Sequence, residues 1–349
     1  MNLSPHNVKK GLWLGLLGVT LFAATLPMTK LAVGALDAPQ LSPWFVTFGR
    51  AAVAGMLSIL YLLWQYSRRL QPGMDWKIPD VGEWALLGFT AAGVVVGFPL
   101  FMSLALQYVP STHGAVVTGL LPLATAVVAA RWFRQQPSWA FWSCAVLGTL
   151  LVLGFMAIRS RDGTGHASLH LADVFLLLAM ASAALGYIGG ARLTPALGAE
   201  GVICWVLVLS LPFTLPLTWF NQPADAVLIR ASSWWAFAYV AVFSMWLGFF
   251  AWYRGLALGG AVRVSQVQLV QPFLSLLFAV PLLGETLDAT TLGFGLAVIA
   301  TVFVGKRMPV GSAALAKHGN TETGPNPDQN QAKIKPSRHH TKQPEGQPT

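Results

Sequence analysis

The chain has 349 residues, of which 55% are hydrophobic and only 10% charged, and its mean hydropathy is +0.59. Soluble domains carry about 25% charged residues, so this composition excludes an ordinary soluble protein and indicates one embedded in a membrane. The net charge of +9 does not indicate nucleic-acid binding. Membrane topology explains that charge better, and five of the basic residues lie in the polar tail: Lys317, Lys333, Lys335, Arg338 and Lys342. Only Cys144 and Cys204 are present, both within apolar runs, which excludes a disulfide framework and a cysteine metal cluster.

Ten apolar runs follow one another along the chain, in two sets of five. A helix needs about 20 mostly apolar residues to cross the hydrocarbon core of a bilayer. We therefore predict an all-α polytopic membrane protein with about ten transmembrane helices. The runs are 12–33, 44–64, 84–106, 113–130 and 139–157 in the first half, and 172–190, 201–219, 234–254, 264–283 and 290–305 in the second.

The first run could be mistaken for a secretory signal, but it is too long and shows no clear small-residue cleavage site. We interpret it as a retained span behind a cytoplasmic segment at 1–11. Lys and Arg accumulate on the cytoplasmic side of membrane proteins. With the amino terminus inside, twelve Lys and Arg residues near the spans lie inside and four outside. This predicts an inner-membrane protein with both termini cytoplasmic, although Arg159 and Arg161 fall in the predicted periplasmic loop 158–171.

Arg50 is the clearest basic residue inside a predicted span. An ionisable group at membrane depth is costly and therefore indicates a function. We expect its guanidinium to meet a cavity, a cluster of carbonyls or an anionic group. Two interpretations stay open. Either Arg50 holds a substrate carboxylate or sets a positive potential in a cavity, or it pairs with freed carbonyls or extends to the membrane interface near Pro43.

Prolines within the first, fourth and ninth runs predict helix breaks at Pro27, Pro122 and Pro272. A proline frees the carbonyl four residues earlier, which is that of Thr118 for Pro122 and that of Gln268 for Pro272. An unsatisfied carbonyl in hydrocarbon costs several kcal/mol, so such breaks persist where they face protein or a water-filled cavity. The alternative is that these prolines and amides only shape packing between helices.

The two halves can be aligned around these prolines. Residues 104–127 match residues 254–277 without a gap and place Pro122 opposite Pro272, 150 residues later. Because each half has an odd number of spans, the second half enters the membrane inverted relative to the first. Inverted repeats are common among secondary transporters, which bind their substrates near the bilayer midplane.

The repeat selects candidate binding residues. Gln268 and Gln271 are three residues apart and share a helix face, so we predict that both line a central cavity with Thr118. Gln266 points away from them and is expected near the membrane surface. Trp246 is the deepest aromatic residue near this site in the second half and is our candidate for an aromatic wall.

Other motifs weigh against competing functions. The sequence contains no HExxH, GxSxG or GxxxxGK[ST] motif, which disfavours hydrolytic enzymes and ATP hydrolysis by this chain. No Asp or Glu lies in the middle of a run, which disfavours coupling through a central carboxylate.

His113, at the start of the fourth run, could titrate near neutral pH, but we expect it to be a surface or capping residue. His166 and His170 are spaced like a helical metal pair, yet a solvated loop is the simpler interpretation, and we predict no metal and no cofactor.

The segment 306–349 is rich in Pro, Asn, Gln and Lys and has almost no aliphatic residues beyond its start. Such a composition cannot bury enough apolar surface to offset the entropy of folding. We therefore predict a disordered, basic cytoplasmic tail.

The stretches ALQYVPSTHGAVVTGLLPLATAVVA and GLALGGAVRVSQVQLVQPFLSLLFAVPLLGETL resemble the repeat signature of EamA-type transporters of the drug/metabolite transporter superfamily. That signature joins a polar helix start and a mid-helix proline to a Gly-Glu turn and a glycine-bearing last helix. The first half departs from it, with Gln135 or Gln136 where Glu is expected. In the second half the pattern is matched by Gly284, Glu285, Gly293 and Gly295.

The resemblance covers residues 12–305 and implies two five-helix repeats, 12–157 and 172–305, around a central site open to each side in turn. It also implies export of amino acids or related metabolites. We therefore expect a secondary transporter, without enzymatic activity, that exports a small polar or amphipathic metabolite. Its expected partners are the small solute and the lipid bilayer and not nucleic acid, while a homodimer is left open. The alternatives are an integral membrane enzyme, or a facilitator or channel without alternating access.

Overall fold

A computed structural model describes residues 5–69, 78–132, 135–164, 171–259, 267, 270–306 and 310–312. The predicted site residue Gln268, its neighbour Gln266 and the predicted disordered tail beyond Ser312 lie outside the described residues.

Nine of the apolar runs lie on helices, and so does the part of the run 264–283 that the structure describes from Gln271 onward, which confirms the all-α polytopic fold. The helices of the first half are α1 (Pro5–Ala23), α2 (Thr25–Val33), α3 (Pro43–Arg69), α4 (Val81–Thr90), α5 (Phe98–Tyr108), α6 (Ser111–Thr118), α7 (Leu121–Trp132) and α8 (Trp139–Thr164). Those of the second half are α9 (Leu171–Leu197), α10 (Ala199–Phe220), α11 (Ala231–Tyr239), α12 (Gly248–Gly259), α13 (Gln271–Leu283) and α14 (Ala289–Lys306). The minor elements are a 3₁₀ turn at Ala226–Leu228 and the strands β1 (Gly34–Ala35), β2 (Ala38–Pro39), β3 (Gln135–Pro137) and β4 (Val310–Ser312), of which β1 and β2 pair antiparallel.

Six described stretches are long and apolar enough to cross a membrane as they stand, and shorter apolar helices accompany them. The fourth predicted span is divided into α6 and α7 by the interruption at Gly119 and Leu120, so neither piece reaches the length of a membrane span alone. The six stretches are His6–Val33, Pro43–Arg68, Val81–Tyr108, Leu171–Thr194, Glu200–Phe220 and Ala231–Gly255.

The two halves share an irregularity that the hydropathy pattern did not predict. A π-helical segment joins α4 to α5 at Ala91–Gly97, and another joins α11 to α12 at Val240–Leu247, at the matching place of the second half. Such widened turns occur mostly at functional sites. Their duplication shows that the repeat extends to the details of backbone geometry.

Packing between the halves is reciprocal. The first span of each half packs on the third span of the other, as α1 does on α12 and α9 on α5 and the neighbouring π segment. Likewise α7 contacts α9 while α13 contacts α2, and α3 packs on α10. This is the arrangement that a two-fold axis relating the halves would produce.

Glycines bring the backbones together at both of these interfaces. A Cβ atom placed on Gly93 would lie 2.9 Å from the Cα atom of Gly186, and one placed on Gly255 would lie 2.7 Å from the backbone nitrogen of Gly15. Small residues allow such close packing of membrane helices. Large apolar side chains are exposed elsewhere, such as Trp13 at 71% and Phe220 at 80%, which suits contact with lipid.

Helix α8 is longer than the apolar run that predicted it. It continues to Thr164, whereas the sequence predicted a loop from 158. No proline occurs in residues 158–164, and a polar helix can extend beyond the hydrocarbon because water satisfies its side chains. The connection to α9 at Leu171 is therefore shorter than predicted.

Candidate functional site

A narrow cavity of about 50 Å³ lies between the two halves, and each half contributes eight of its lining residues. One buried water molecule needs about 10 to 15 Å³, so this volume accommodates only a few waters. The cavity therefore lies where an inverted repeat is predicted to place a binding site, in a conformation too narrow for an amino acid. Its polar lining residues are Thr25, Arg50, Thr118, Tyr187, Ser244, Gln271 and Ser275.

Arg50 is the charged residue of this lining. Its side chain is only 3% exposed, and its Nη2 donates to Ser244 Oγ at 3.2 Å and to Met245 Sδ at 3.7 Å. Within the described part of the chain, Nε has no hydrogen-bond partner and no carboxylate forms an ion pair with this guanidinium. A buried cation without a counter-ion is costly, so the cavity favours an anionic group from a ligand.

Ser244 links this arginine to the first span. Its Oγ lies 2.8 Å from Thr25 Oγ1, in a buried contact between residues 219 positions apart. Thr25 is the first residue of α2, and Ser244 lies in the second π segment. Neither residue was predicted from the sequence, because single hydroxyls in apolar runs are common and nothing marks these two. In the structure, Ser244 is marked by its bond to Arg50 and by its place in the duplicated π segment.

The break at Pro27 is tied directly to the cavity. Helix α1 ends at Ala23 and α2 begins two residues later. Pro27 has no N–H to donate to the carbonyl of Ala23, and this carbonyl instead accepts a hydrogen bond of 2.9 Å from Ser275 Oγ. Ser275 lies in α13, three residues after Pro272. The break in the first span is thus bonded to helix α13 of the ninth span.

Pro122 follows the interruption between α6 and α7, and Pro272 lies at the start of the helix that the structure describes in the ninth run. Helix α6 ends at Thr118, four residues before Pro122, and α13 begins at Gln271 with Pro272 as its second residue. Thr118, Gln271 and Pro272 line the same cavity as Arg50. The structure therefore brings together most of the predicted residues, while their role in binding stays a prediction.

Trp246 lies apart from them. It is two positions past Ser244 and so about half a helical turn further round, and it packs on Phe250 with ring centroids 4.7 Å apart and on Tyr61 at 6.5 Å. It does not line the cavity, so the structure does not bring Trp246 together with the other predicted site residues. The aromatic lining consists of Phe22, Phe98, Tyr187 and Phe249.

A second polar cluster lies at one end of the molecule, where α5 and α13 end and α6 and α9 begin; we call this end the His113 face. His113 is 6% exposed, and its Nε2 lies 2.8 Å from Asp173 Oδ1. Our expectation of a surface or capping histidine is therefore wrong. The sequence could not reveal the pairing, because the two residues lie in different halves and 60 positions apart.

Other polar contacts hold the same face together. Glu285 accepts hydrogen bonds from the backbone N–H groups of Ser111 at 2.7 Å and Thr112 at 2.9 Å, at the start of α6. A carboxylate at a helix amino terminus satisfies free N–H groups and complements the helix dipole. Lys30 Nζ donates to the carbonyl of Leu106 at 2.6 Å. The Glu285 contacts, like the His113–Asp173 contact, join the two halves.

No group of three His, Cys, Asp or Glu side chains is placed to hold a metal ion in the part of the chain that the structure describes. His166 and His170 lie outside it.

Comparison with known proteins agrees with the repeat. The model of the EamA-like transporter family matches residues 9–157 and again residues 170–305. The chain is 41% identical to "Uncharacterized transporter YdeK" of Bacillus subtilis (strain 168) over 293 residues, covering 84% of this chain and 96% of that protein. It is 25% identical to "Uncharacterized transporter YetK" of the same organism over 235 residues, covering 65% of this chain and 67% of that protein.

A solved structure, described as "Crystal structure of protein", has the same overall arrangement. It matches with a TM-score of 0.55 and 17% identity, over 90% of this chain and 99% of that chain. At this identity the match supports the fold alone.

Proposed function

This chain belongs to the EamA-like transporter family, and from that premise we propose that it is a secondary transporter that exports a small polar or amphipathic metabolite by alternating access. The solute binds in the cavity between the halves, which rock around it. A metabolite of amino-acid type, with one anionic group and an apolar part, suits the lining best.

The observation that carries this proposal is the state of Arg50. It is buried in the cavity with Nε free of partners among the described residues. A ligand carboxylate would give it the charge-assisted hydrogen bonds that it lacks, and such bonds are about twice as strong as neutral ones. Thr25, Ser244 and Gln271 offer further polar contacts, while Phe22 and Phe249 suit an apolar group.

The narrowness of the cavity supports movement of the halves. A solute larger than a few water molecules cannot occupy about 50 Å³ without separation of the walls. Because each wall belongs to a different repeat, rocking of one half against the other widens the site. Export, as opposed to uptake, rests on the family resemblance.

Counterflow tests this proposal. Purified protein is inserted into sealed liposomes preloaded with unlabelled amino acids, organic acids or nucleosides, and entry of the same labelled compound is followed without an ion gradient. A carrier accumulates label transiently above the outside concentration, whereas a channel only equilibrates it. An enzyme would change the compound chemically, so the recovered label is identified by mass.

A matched pair of variants tests whether the solute passes through the cavity between the halves. Thr118→Trp places a large ring in the cavity and should abolish counterflow. Thr149→Trp makes the same change at an exposed position of α8 and should leave counterflow near the level of the unmodified protein. Equal counterflow by both variants would contradict transport through this cavity. Absence of counterflow by the unmodified protein with every compound class, in liposomes with confirmed insertion, would contradict the proposed exchange.

A further inference from the structure

His113 and Asp173 do not line the cavity, yet their contact joins the two halves at the far end of the helix that reaches the cavity. His113 is the third residue of α6, and Thr118, the last residue of that helix, lines the cavity. These residues are five positions apart, or about 7.5 Å along the helix axis. The His113 face and the cavity are therefore separated by little more than one turn of α6.

The proton content of this pair decides its charge. With imidazolium and carboxylate together the pair is neutral overall, whereas loss of one proton leaves a single negative charge. Both side chains are almost fully buried, with 7% of His113 and 2% of Asp173 exposed. Burial of an uncompensated charge is costly, so the closed face favours the protonated pair and the deprotonated pair favours exposure to water.

The surroundings add to this effect. The Glu285 carboxylate is bonded to the two residues before His113, so a deprotonated pair places a second negative charge at the start of α6. Lys30 is attracted to Glu285 and to Asp37, and therefore offsets only part of the negative charge.

Two other elements around the pair present aromatic rings to this face. Helix α8 presents the Phe155 ring, with its centroid 4.9 Å from that of His113, and α5 ends at Tyr108, which packs on Phe175 at 6.5 Å. Asp288 precedes α14. Arg159, Arg161 and Asp162 follow in the last turns of α8, with side chains outside the described set.

We propose that His113 and Asp173 form a proton-binding site that controls opening of the His113 face: the protonated pair holds the face closed, and a rise in pH opens it. Histidine is the side chain whose charge ordinarily changes between about pH 5 and 8. The proposal adds pH control to the proposed transport function. In the predicted orientation the His113 face is the outer one, so the outer pH sets the frequency of outward opening.

Cysteine labelling tests the proposal without any substrate. The reporter is Leu106→Cys in the full chain with Cys144→Ala and Cys204→Ala. Leu106 is fully buried near the end of α5, beside Gly114, the residue after His113. The protein is placed in lipid nanodiscs and its reaction with a hydrophilic maleimide is timed between about pH 6 and 9. Val227→Cys, at a position 97% exposed, corrects for ionisation of the thiol itself.

The corrected labelling rate should rise with pH by up to about tenfold per unit, the limit for loss of one proton. The single variants should move in opposite directions. Asp173→Asn removes the buried charge and should give slow, pH-independent labelling, whereas His113→Gln leaves the carboxylate uncompensated and should give fast, pH-independent labelling. The double variant His113→Gln/Asp173→Asn should be slow again.

A merely structural contact gives a different pattern, since both single variants would then loosen the face. Fast labelling by Asp173→Asn, or pH-independent labelling by the reporter with His113 and Asp173 intact, overturns the proton-binding site. Counterflow that persists in either case would leave the transport function standing. A labelling response without counterflow would support the proton site and remove the transport proposal.

Discussion

The two halves of this protein share a backbone plan but differ in the side chains placed on it. Both have a proline at the aligned position of their fourth span and a π segment in their third. The charged residue of the cavity lining, Arg50, belongs to the first half. Gln271 lines the cavity in the second half, and the aligned position of the first half, 150 residues earlier, is Leu121. Glu285 caps α6, while the corresponding position of the first half carries Gln135. The halves thus share a backbone plan, while the polar side chains at the cavity and at the His113 face differ between them.

Removing Arg50 should have the largest effect of these substitutions, because it removes the buried charge that only the first half contributes to the cavity lining. We expect Arg50→Ala to weaken solute binding by about 10- to 100-fold, from loss of charge-assisted bonds of about 1.5 to 3 kcal/mol. The measurement is the solute concentration for half-maximal counterflow. Arg192→Ala, at an exposed position of α9, is the control and should change little; equal effects would place Arg50 outside the binding site.

Ser275→Ala tests the hydrogen bond between helix α13 and the Ala23 carbonyl at the break in the first span. It leaves the Ala23 carbonyl without its donor, and an unsatisfied buried acceptor costs about 1 to 3 kcal/mol. We expect a lower thermal unfolding temperature in detergent. Ser143→Ala is the matched control, because its hydroxyl is exposed and bonds only the carbonyl four residues earlier. Unchanged stability of Ser275→Ala would mean that another group satisfies this carbonyl.

Gln271→Leu gives the second half the residue that the first half has at Leu121. It removes one neutral hydrogen bond to the solute, so we expect binding to weaken about five-fold, as for a loss of about 1 kcal/mol. The half-maximal concentration in counterflow measures this. Gln40→Leu alters a glutamine outside the cavity that accepts from the backbone N–H of Arg230 and should not affect affinity. Full affinity in Gln271→Leu would remove Gln271 from the contact with the solute.

Glu285→Gln gives the second half the uncharged amide of the first half and should have the smallest effect. The amide can still accept one hydrogen bond from α6, but the charge that complements the helix dipole is lost, at a cost of about 0.3 to 1 kcal/mol. At about pH 6, where the His113–Asp173 pair keeps its proton in our proposal, labelling of the Leu106→Cys reporter should therefore quicken two- to five-fold. Glu83→Gln, within the exposed cap of α4, is the control. Slower labelling would show that Glu285 does not hold the face closed.

Part of the cavity lining could be predicted from the sequence. Arg50, Thr118 and Gln271 were found because a charge, a freed carbonyl and an amide are each exceptional in an apolar run. Thr25, Ser244 and Ser275 were missed because hydroxyls can bond within their own helix, as Thr118 does to the Gly114 carbonyl at 2.7 Å. Trp246 was predicted to line the cavity but does not, because the depth of a residue in the membrane does not determine which side of its helix faces the cavity.

The all-α membrane fold and the repeat could be predicted from the amino-acid sequence, as could the helix ends near Pro27 and Pro122, because in hydrocarbon each span must satisfy its own backbone and proline prevents this locally. The contacts between polar groups could not be predicted in this way. Ser244 with Arg50, Ser275 with the Ala23 carbonyl and His113 with Asp173 join residues 60 to 252 positions apart. Such pairs depend on the rotation and depth of each helix against its neighbours, which are set by packing between the halves and leave no periodic signal in either helix alone.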